Sequence, residues 1–144
     1  MIYLDTAYLL KCFLNEPDAD LVRIVVRQAG SVASSAHGRA EFRSGVQRHV
    51  REGRLAASDA DQVFRALEAE EANGAVYWLP VEQSVLHRAC TIIEQHGATL
   101  PMRSGDVLHL ASAQENGFTS IYTNDRHLLA TAAAVQFQTV NVLP

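Results

Sequence analysis

The sequence contains no long apolar run, although 48% of its 144 residues are hydrophobic. A membrane-spanning helix needs roughly 18 or more consecutive apolar residues, so we expect no association with a membrane. Residues 1–14 also lack the basic start and the small-residue cleavage site of a signal peptide. The composition is typical of one globular α/β domain over residues 1–144, and we expect it to be cytoplasmic.

Cysteine is scarce as well, with only Cys12 and Cys90 in the chain. The two cysteines are 78 positions apart and each lies in an apolar helical stretch. This arrangement lacks the paired spacing that is typical of zinc or redox sites. We predict two buried free thiols and a reducing compartment.

Lysine occurs once, and the net charge of −4 excludes binding of nucleic acid through an overall positive charge. The charges are nevertheless unevenly distributed. Residues 37–54 contain five arginines and two glutamates, whereas residues 59–71 contain five acids and one arginine. The planar guanidinium of arginine matches phosphate in a bidentate manner. The basic segment is therefore either a solvent-exposed helix face or a phosphate-binding surface.

Three catalytic motifs are missing from the sequence. There is no glycine-rich phosphate loop, no Gly-x-Ser-x-Gly elbow and no paired cysteine and histidine. The candidate catalytic groups are carboxylates instead.

Short apolar segments alternate with helical patterns along the chain. Strands are predicted at residues 1–6, 31–35, 75–79, 119–123 and 139–142. Helices are predicted at residues 7–14, 18–29, 39–51, 58–72, 82–96, 105–115 and 126–134. Ser58 is the predicted N-cap of the fourth of these helices. This alternation indicates an α/β fold with a central parallel sheet of four to five strands and helices on both faces.

Four acids lie near the ends of these predicted elements. Asp5 ends the first strand, Asp125 follows the fourth, Glu41 lies near the start of a helix, and Asp106 lies in the first turn of another. The carboxyl ends of parallel strands open on one edge, where ligands bind. Taken singly, three of these acids could be helix-stabilising or surface residues. Asp5 is different, because a carboxylate after a buried strand needs partners. We expect the four to converge.

Convergence of four carboxylates requires a counter-charge. Two carboxylates about 5 Å apart repel by roughly 3 kcal/mol at an effective dielectric constant of 20. The only lysine is Lys11, and Arg103 and Arg126 lie near the acids in sequence. A divalent cation is the simplest counter-charge, and a set of oxygen ligands favours Mg²⁺ or Mn²⁺ over zinc.

The motifs that carry these acids resemble those of PIN-domain ribonucleases, and among them the VapC-like toxins of type II toxin–antitoxin pairs. The matching segments are MIYLDT, the glutamate of AEFRSGV, RSGDVLHLASA and IYTNDRHL. Together they span nearly the whole chain in the order and spacing of that family. Each motif alone has little specificity, but the set is specific.

The resemblance implies a PIN-like three-layer fold and a metal-dependent endoribonuclease that uses Mg²⁺ or Mn²⁺. The family's catalytic and metal-binding acids are matched by Asp5, Glu41, Asp106 and Asp125. Supporting polar positions are matched by Thr6, Thr123 and Asn124. The partners implied are an RNA substrate, a cognate antitoxin protein and a second copy of the chain in a homodimer.

Two other functions are considered. A receiver-type domain that transfers a phosphoryl group could use Asp5 as the acceptor. Thr6 and Ala7 follow that residue without a second acid, and no lysine follows the late strands, which weakens this interpretation. The second alternative is a non-catalytic binding module with the same fold, which the presence of all four acids disfavours.

Four further residues lie close in sequence to two of the acids, Glu41 and Asp106. His37, Arg39 and Arg43 lie near Glu41 and are predicted to contact RNA phosphate. His109, three residues after Asp106, is predicted to pack and form hydrogen bonds in the apolar run VLHLA instead of binding metal.

A glycine directly precedes one of the proposed ligands. Gly105 lowers the local helix propensity by about 1 kcal/mol relative to alanine. We therefore expect it to loosen Asp106 until a metal binds.

Overall fold

The computed structural model describes all residues from Met1 to Pro144 and contains five strands and seven helices. The strands are β1 (Ile2–Tyr3), β2 (Val32–Ser35), β3 (Val76–Leu79), β4 (Ser120–Tyr122) and β5 (Gln138–Val140). The helices are α1 (Thr6–Phe13), α2 (Ala19–Ala29), α3 (Gly38–Arg51), α4 (Ala57–Ala72), α5 (Gln83–His96), α6 (Ser104–Glu115) and α7 (Arg126–Ala134).

All strand pairs are parallel, as predicted, but the strands do not form one sheet of four to five. Strands β1, β2 and β3 form a three-stranded sheet in that order, and β4 pairs with β5 in a separate sheet. The two sheets meet at one bridge, between Leu4 and Tyr122. The interruption occurs because β1 is only two residues long and the chain enters α1 at Thr6.

Helices cover both faces of the strands, which confirms the α/β layering. Alternate residues of a strand point to opposite faces, and Tyr3 packs with α5, α6 and α7 while Leu4 packs with α1, α3 and α4. The first core includes Val85, Ile92, Leu110, Ile121 and Leu128. The second includes Leu9, Val22, Phe42, Val46 and Leu67.

Most predicted helix boundaries agree with the structure to within one residue, but two local predictions were wrong. The predicted N-cap of α4 was Ser58, whereas the cap is Ala56, which makes no side-chain capping bond. Both cysteines are free, but Cys90 is exposed on α5. Cys12 is partly buried, and burial raises the pKa of its thiol to about 12. No helix combines the length and the apolarity that a bilayer crossing would require.

Candidate metal centre and nucleic-acid interface

One polar cavity of about 690 Å³ lies at the carboxyl ends of β1 and β4. The backbone N–H of Asp5 donates to the carbonyl of Tyr122 at 3.1 Å, which brings the ends of these two strands together. The four acids singled out in the sequence all line this cavity: Asp5, Glu41, Asp106 and Asp125. Four acids that span positions 5 to 125 of the sequence therefore share one solvent-accessible cavity.

Asp5 is buried, with 4% of its surface exposed, and both of its oxygens have partners. Its Oδ1 accepts a 2.8 Å hydrogen bond from the Tyr8 N–H, which makes Asp5 the N-cap of α1. Its Oδ2 accepts a hydrogen bond from the Thr123 hydroxyl. Burial raises the pKa of Asp5 to about 6, against the lowering effect of these two hydrogen bonds. The two hydrogen bonds therefore offset only part of the energetic cost of burying the ionised Asp5 carboxylate.

Asp125 caps the last helix with one oxygen and faces an arginine with the other. Its Oδ1 accepts hydrogen bonds from the N–H groups of His127 and Leu128, at 2.7 and 3.1 Å. Its Oδ2 lies 3.3 Å from the guanidinium of Arg103. The Asp125 N–H donates to the Thr123 hydroxyl oxygen at 3.0 Å. Thr123 therefore joins Asp5 to Asp125, whereas the predicted supporting residue Asn124 is exposed beside them.

Asp106 lies in the first turn of α6 and retains a buried oxygen, Oδ2, that has no hydrogen-bond partner. Burial raises the pKa of this carboxyl, and the negative charge of Asp125 raises it further. The positive charge of Arg103 acts in the opposite direction. An unpartnered buried carboxylate oxygen beside another carboxylate is the situation that a bound cation would relieve.

Glu41 has a different environment from the three aspartates. Its Oε2 lies 2.5 Å from the Thr6 hydroxyl, 3.0 Å from His109 Nε2 and 3.6 Å from His37 Nε2. Burial alone would raise the pKa of Glu41, but the hydrogen bonds from His109 and Thr6 outweigh it and lower the pKa to about 2. Glu41 is consequently ionised and already paired.

His109 is buried, and both of its ring nitrogens are in contact with polar groups. Its Nδ1 lies 3.0 Å from the Tyr3 hydroxyl, and its Nε2 is equally close to Thr6 Oγ1 and Glu41 Oε2. The prediction that this histidine packs and forms hydrogen bonds is confirmed. It also lines the cavity.

The structure gives Gly105 a role that the sequence did not indicate. A Cβ atom at this position would lie 2.7 Å from Glu41 Oε1, closer than real Cβ contacts allow. The absence of a side chain therefore admits the Glu41 carboxylate against the start of α6. This packing is a specific reason for a glycine here, in addition to its flexibility.

The arginines that line the cavity are other than Arg39 and Arg43, whose contact with RNA stays a prediction. Arg39 and Arg43 instead face α4, where their guanidinium groups lie 2.8 Å from Glu71 and 3.3 Å from Glu68. The basic residues at the cavity are Arg48, Arg51 and Arg103. All three are exposed, which suits groups that contact a polyanion.

A comparison with family models matches the PIN domain to residues 2–134. A comparison with curated protein sequences finds no match.

Several solved structures share the fold over nearly their whole length. FitAcB from Neisseria gonorrhoeae has 21% identity and a TM-score of 0.68, with 99% of this chain and 98% of that chain covered. VapBC2 from Rickettsia felis, bound to a DNA fragment from its promoter, has 17% identity, a TM-score of 0.71 and 98% of both chains covered. VapC20 from Mycobacterium tuberculosis, a toxin that cleaves the sarcin-ricin loop, has 16% identity and a TM-score of 0.70, with 95% of this chain and 96% of that chain covered.

Proposed function

Because this chain belongs to the PIN domain family, whose model matches residues 2–134, we propose that it is a metal-dependent endoribonuclease. The observation that carries the proposal is the single cavity lined by Asp5, Glu41, Asp106 and Asp125. Arginines at the same cavity, Arg48, Arg51 and Arg103, supply positive charge for a phosphate backbone. The receiver-type alternative has no comparable support.

The donor set fits a hard divalent cation. Every proposed ligand atom is a carboxylate oxygen, the donor type that Mg²⁺ and Mn²⁺ prefer. The unpartnered Oδ2 of Asp106 and the raised pKa values of Asp5 and Asp106 mark a place where positive charge is missing. We therefore assign Asp5, Asp106 and Asp125 as the principal ligands, with Glu41 completing the set.

A bound cation would supply Lewis-acid activation of water and neutralisation of the charge that develops on the phosphate. The protein side chains would hold and orient the reacting groups. Thr123 fixes the Asp5 carboxylate and the backbone before Asp125, so that the two acids keep their relative position. Arg103, which already pairs with Asp125, is placed to contact a phosphate oxygen at the cavity rim. No carboxylate is required as a general base.

We further propose that the protein is the toxin of a toxin–antitoxin pair and acts in the cytoplasm. Support comes from the fold shared with FitAcB and VapBC2. The partners would be an RNA substrate, an antitoxin encoded by the neighbouring gene and a second copy of the chain. Co-purification with the neighbouring gene product and a light-scattering mass of twice the chain would test these two protein partners.

Incubation of the purified chain with total RNA tests the proposed activity. We expect cleavage with Mn²⁺ or Mg²⁺, none with EDTA, and a loss of roughly a hundredfold or more in Asp125→Asn. Asparagine is also a good N-cap residue, so α7 should still form. Asp59→Asn, an exposed acid in the first turn of α4, is the matched control and should cleave normally. Equal cleavage by both variants would exclude the proposed centre.

A further inference from the structure

We propose that His37, Glu41 and His109, here called the His–Glu cluster, form a second cation site that binds a late first-row transition metal such as Zn²⁺. Ligand atoms of the three residues lie within 4.8 Å of one another. The site takes two imidazole nitrogens and one carboxylate oxygen, unlike the oxygen-only set proposed for Mg²⁺. Three protein ligands would leave a fourth position for water.

Both distances from Glu41 to the histidines are close to those between the ligands of a tetrahedral ion. Zinc binds nitrogen and oxygen at about 2.0 to 2.1 Å, so ligand atoms at tetrahedral angles lie about 3.3 Å apart. Glu41 Oε2 lies 3.0 Å from His109 Nε2 and 3.6 Å from His37 Nε2, on either side of that value. Small side-chain rotations would equalise the two distances.

Both histidines are oriented by hydroxyl groups of the strands. His37 Nδ1 lies 2.8 Å from Ser35 Oγ, and His109 Nδ1 lies 3.0 Å from the Tyr3 hydroxyl. Ser35 and Tyr3 are both fully buried. Histidines that bind metal commonly hold their second ring nitrogen in this way, which fixes the ring and directs the free nitrogen towards the ion. Here both Nε2 atoms are directed towards Glu41. A metal ion would displace the proton that His109 Nε2 donates to Glu41, and the ring would then carry its remaining proton on Nδ1, next to the Tyr3 hydroxyl oxygen.

His37 adds a separate observation, at the second nitrogen of its ring. Its Nε2 atom is buried and has no hydrogen-bond partner. If Nδ1 donates to Ser35, the lone pair of Nε2 faces an ionised carboxylate at 3.6 Å. A cation between the two atoms would turn this repulsion into two bonds.

Ligand chemistry separates the two sites, although they share Glu41. Imidazole nitrogen favours zinc, copper and nickel, whereas Mg²⁺ prefers oxygen. A zinc ion in the His–Glu cluster would hold Glu41 against the histidines and keep it from the carboxylates across the cavity. Zinc would therefore inhibit RNA cleavage. This inhibition rests on the proposed function, whereas zinc binding itself does not.

Titration of the tag-free, full-length protein with Co²⁺ tests the site through the visible absorption of the bound ion. We expect one Co²⁺ per chain to show the band intensities of a tetrahedral site, apart from any Co²⁺ bound by the oxygen ligands of the carboxylate side, and to be displaced by one equivalent of Zn²⁺. His37→Gln and His109→Gln should each weaken binding about tenfold or more, since loss of a ligand costs at least as much as loss of its outer partner. His87→Gln is the matched control, because His87 is exposed on α5 beside the exposed Cys90.

Co²⁺ binding by His37→Gln equal to that of the unaltered protein would overturn the proposal. So would weakened binding in His87→Gln, which would place the ion at the exposed His87 and Cys90. His109 is buried, so the folding of its variant is checked by a thermal melt, and His37→Gln decides the test if His109→Gln does not fold. Asp5→Asn should retain Co²⁺ binding while losing cleavage, so failure of the nuclease proposal and failure of the zinc site are distinguishable.

Discussion

The two sides of the cavity hold carboxyl groups whose pKa values are shifted in opposite directions. On the carboxylate side, burial raises the pKa of Asp5 to about 6, and burial together with the charge of Asp125 raises that of Asp106. In the His–Glu cluster, hydrogen bonds from His109 and Thr6 outweigh burial and lower the pKa of Glu41 to about 2. Both sides belong to one cavity.

The difference shows that burial and partners together decide whether an acid in this cavity is stable in its ionised form. Burial acts in the same direction on all of these carboxyl groups. Glu41 is partly exposed and faces imidazoles and a hydroxyl donor, whereas Asp5 is buried and the negative charge of Asp125 acts on both Asp5 and Asp106. The carboxylate side therefore needs a cation to reach the stability that Glu41 already has.

Asparagine at position 5 and glutamine at position 41 should have opposite effects on the metal-free protein. Asp5→Asn should raise the free energy of unfolding at pH 7, by up to about 3 kcal/mol, because it removes a carboxylate whose pKa is raised by burial. Glu41→Gln should lower it, because His109 loses a charged acceptor. Denaturant unfolding in EDTA measures both variants.

The pH dependence distinguishes this explanation from a general change in packing. Folded Asp5 keeps its proton between about pH 4 and 6, where the unfolded chain has lost it, so its contribution to stability falls as pH rises through that range. The advantage of Asp5→Asn should grow from pH 4 to 6 and then level off. Glu41 contributes stability above about pH 4.5 that is lost towards pH 2. An Asp5→Asn protein that is less stable throughout would mean that its capping and Thr123 contacts dominate.

Thr123→Val should show how much the positioning of the carboxylates matters, because it leaves their charges unchanged. Valine keeps the shape of threonine but removes the hydroxyl that donates to Asp5 and accepts from the Asp125 N–H. We expect cleavage and Mn²⁺ affinity to fall roughly tenfold to a hundredfold, as for other outer partners of metal ligands. Thr119→Val, before β4, is a matched control away from the cavity lining. Unchanged Mn²⁺ affinity in Thr123→Val would remove Thr123 from the centre.

The fold could be predicted from local patterns, because helix periodicity and apolar strands are encoded in neighbouring residues. Parallel pairing and helices on both faces were predicted correctly for this reason. The division into two sheets could not be predicted, since it depends on where the chain leaves β1 for α1. Hydrogen bonding of His109 was predicted, but its partner Tyr3 is 106 positions away and carries no local signal.

The sequence did contain a signal for one of the arginines that line the cavity. Arg48 lies seven positions after Glu41, which is two helical turns and therefore the same face of α3. Arg39 and Arg43 lie two positions before and after Glu41, where side chains point away from it. Helical spacing from Glu41, instead of closeness in sequence, would have selected Arg48.

Gly105→Ala should reduce activity without a loss of stability. The added Cβ would contact Glu41 Oε1 at 2.7 Å and displace the end of a flexible side chain, while alanine raises helix propensity by about 1 kcal/mol. We expect cleavage to fall about tenfold, since a small misplacement of a catalytic group is costly, and the melting temperature to stay constant or rise. Ala113→Gly has the opposite effect on helix propensity, because it lowers it. Ala113 is buried in α6 and lies away from the cavity. Full activity in Gly105→Ala would show that Glu41 needs no close approach to α6.

Arg51→Gln should have the smallest effect, because it tests only the attraction between the cavity rim and RNA. Arg51 lines the cavity at the end of α3, while Arg65 is exposed on α4 and does not line it. Both substitutions remove one positive charge, so any effect of net charge is matched. Loss of one phosphate contact should raise KM about twofold to fivefold, leave kcat unchanged and reduce the salt dependence of RNA binding by about 0.7 in slope for single strands. If Arg65→Gln reproduces these changes, the effect comes from overall charge, and the arginines at the cavity have no specific part in holding the substrate.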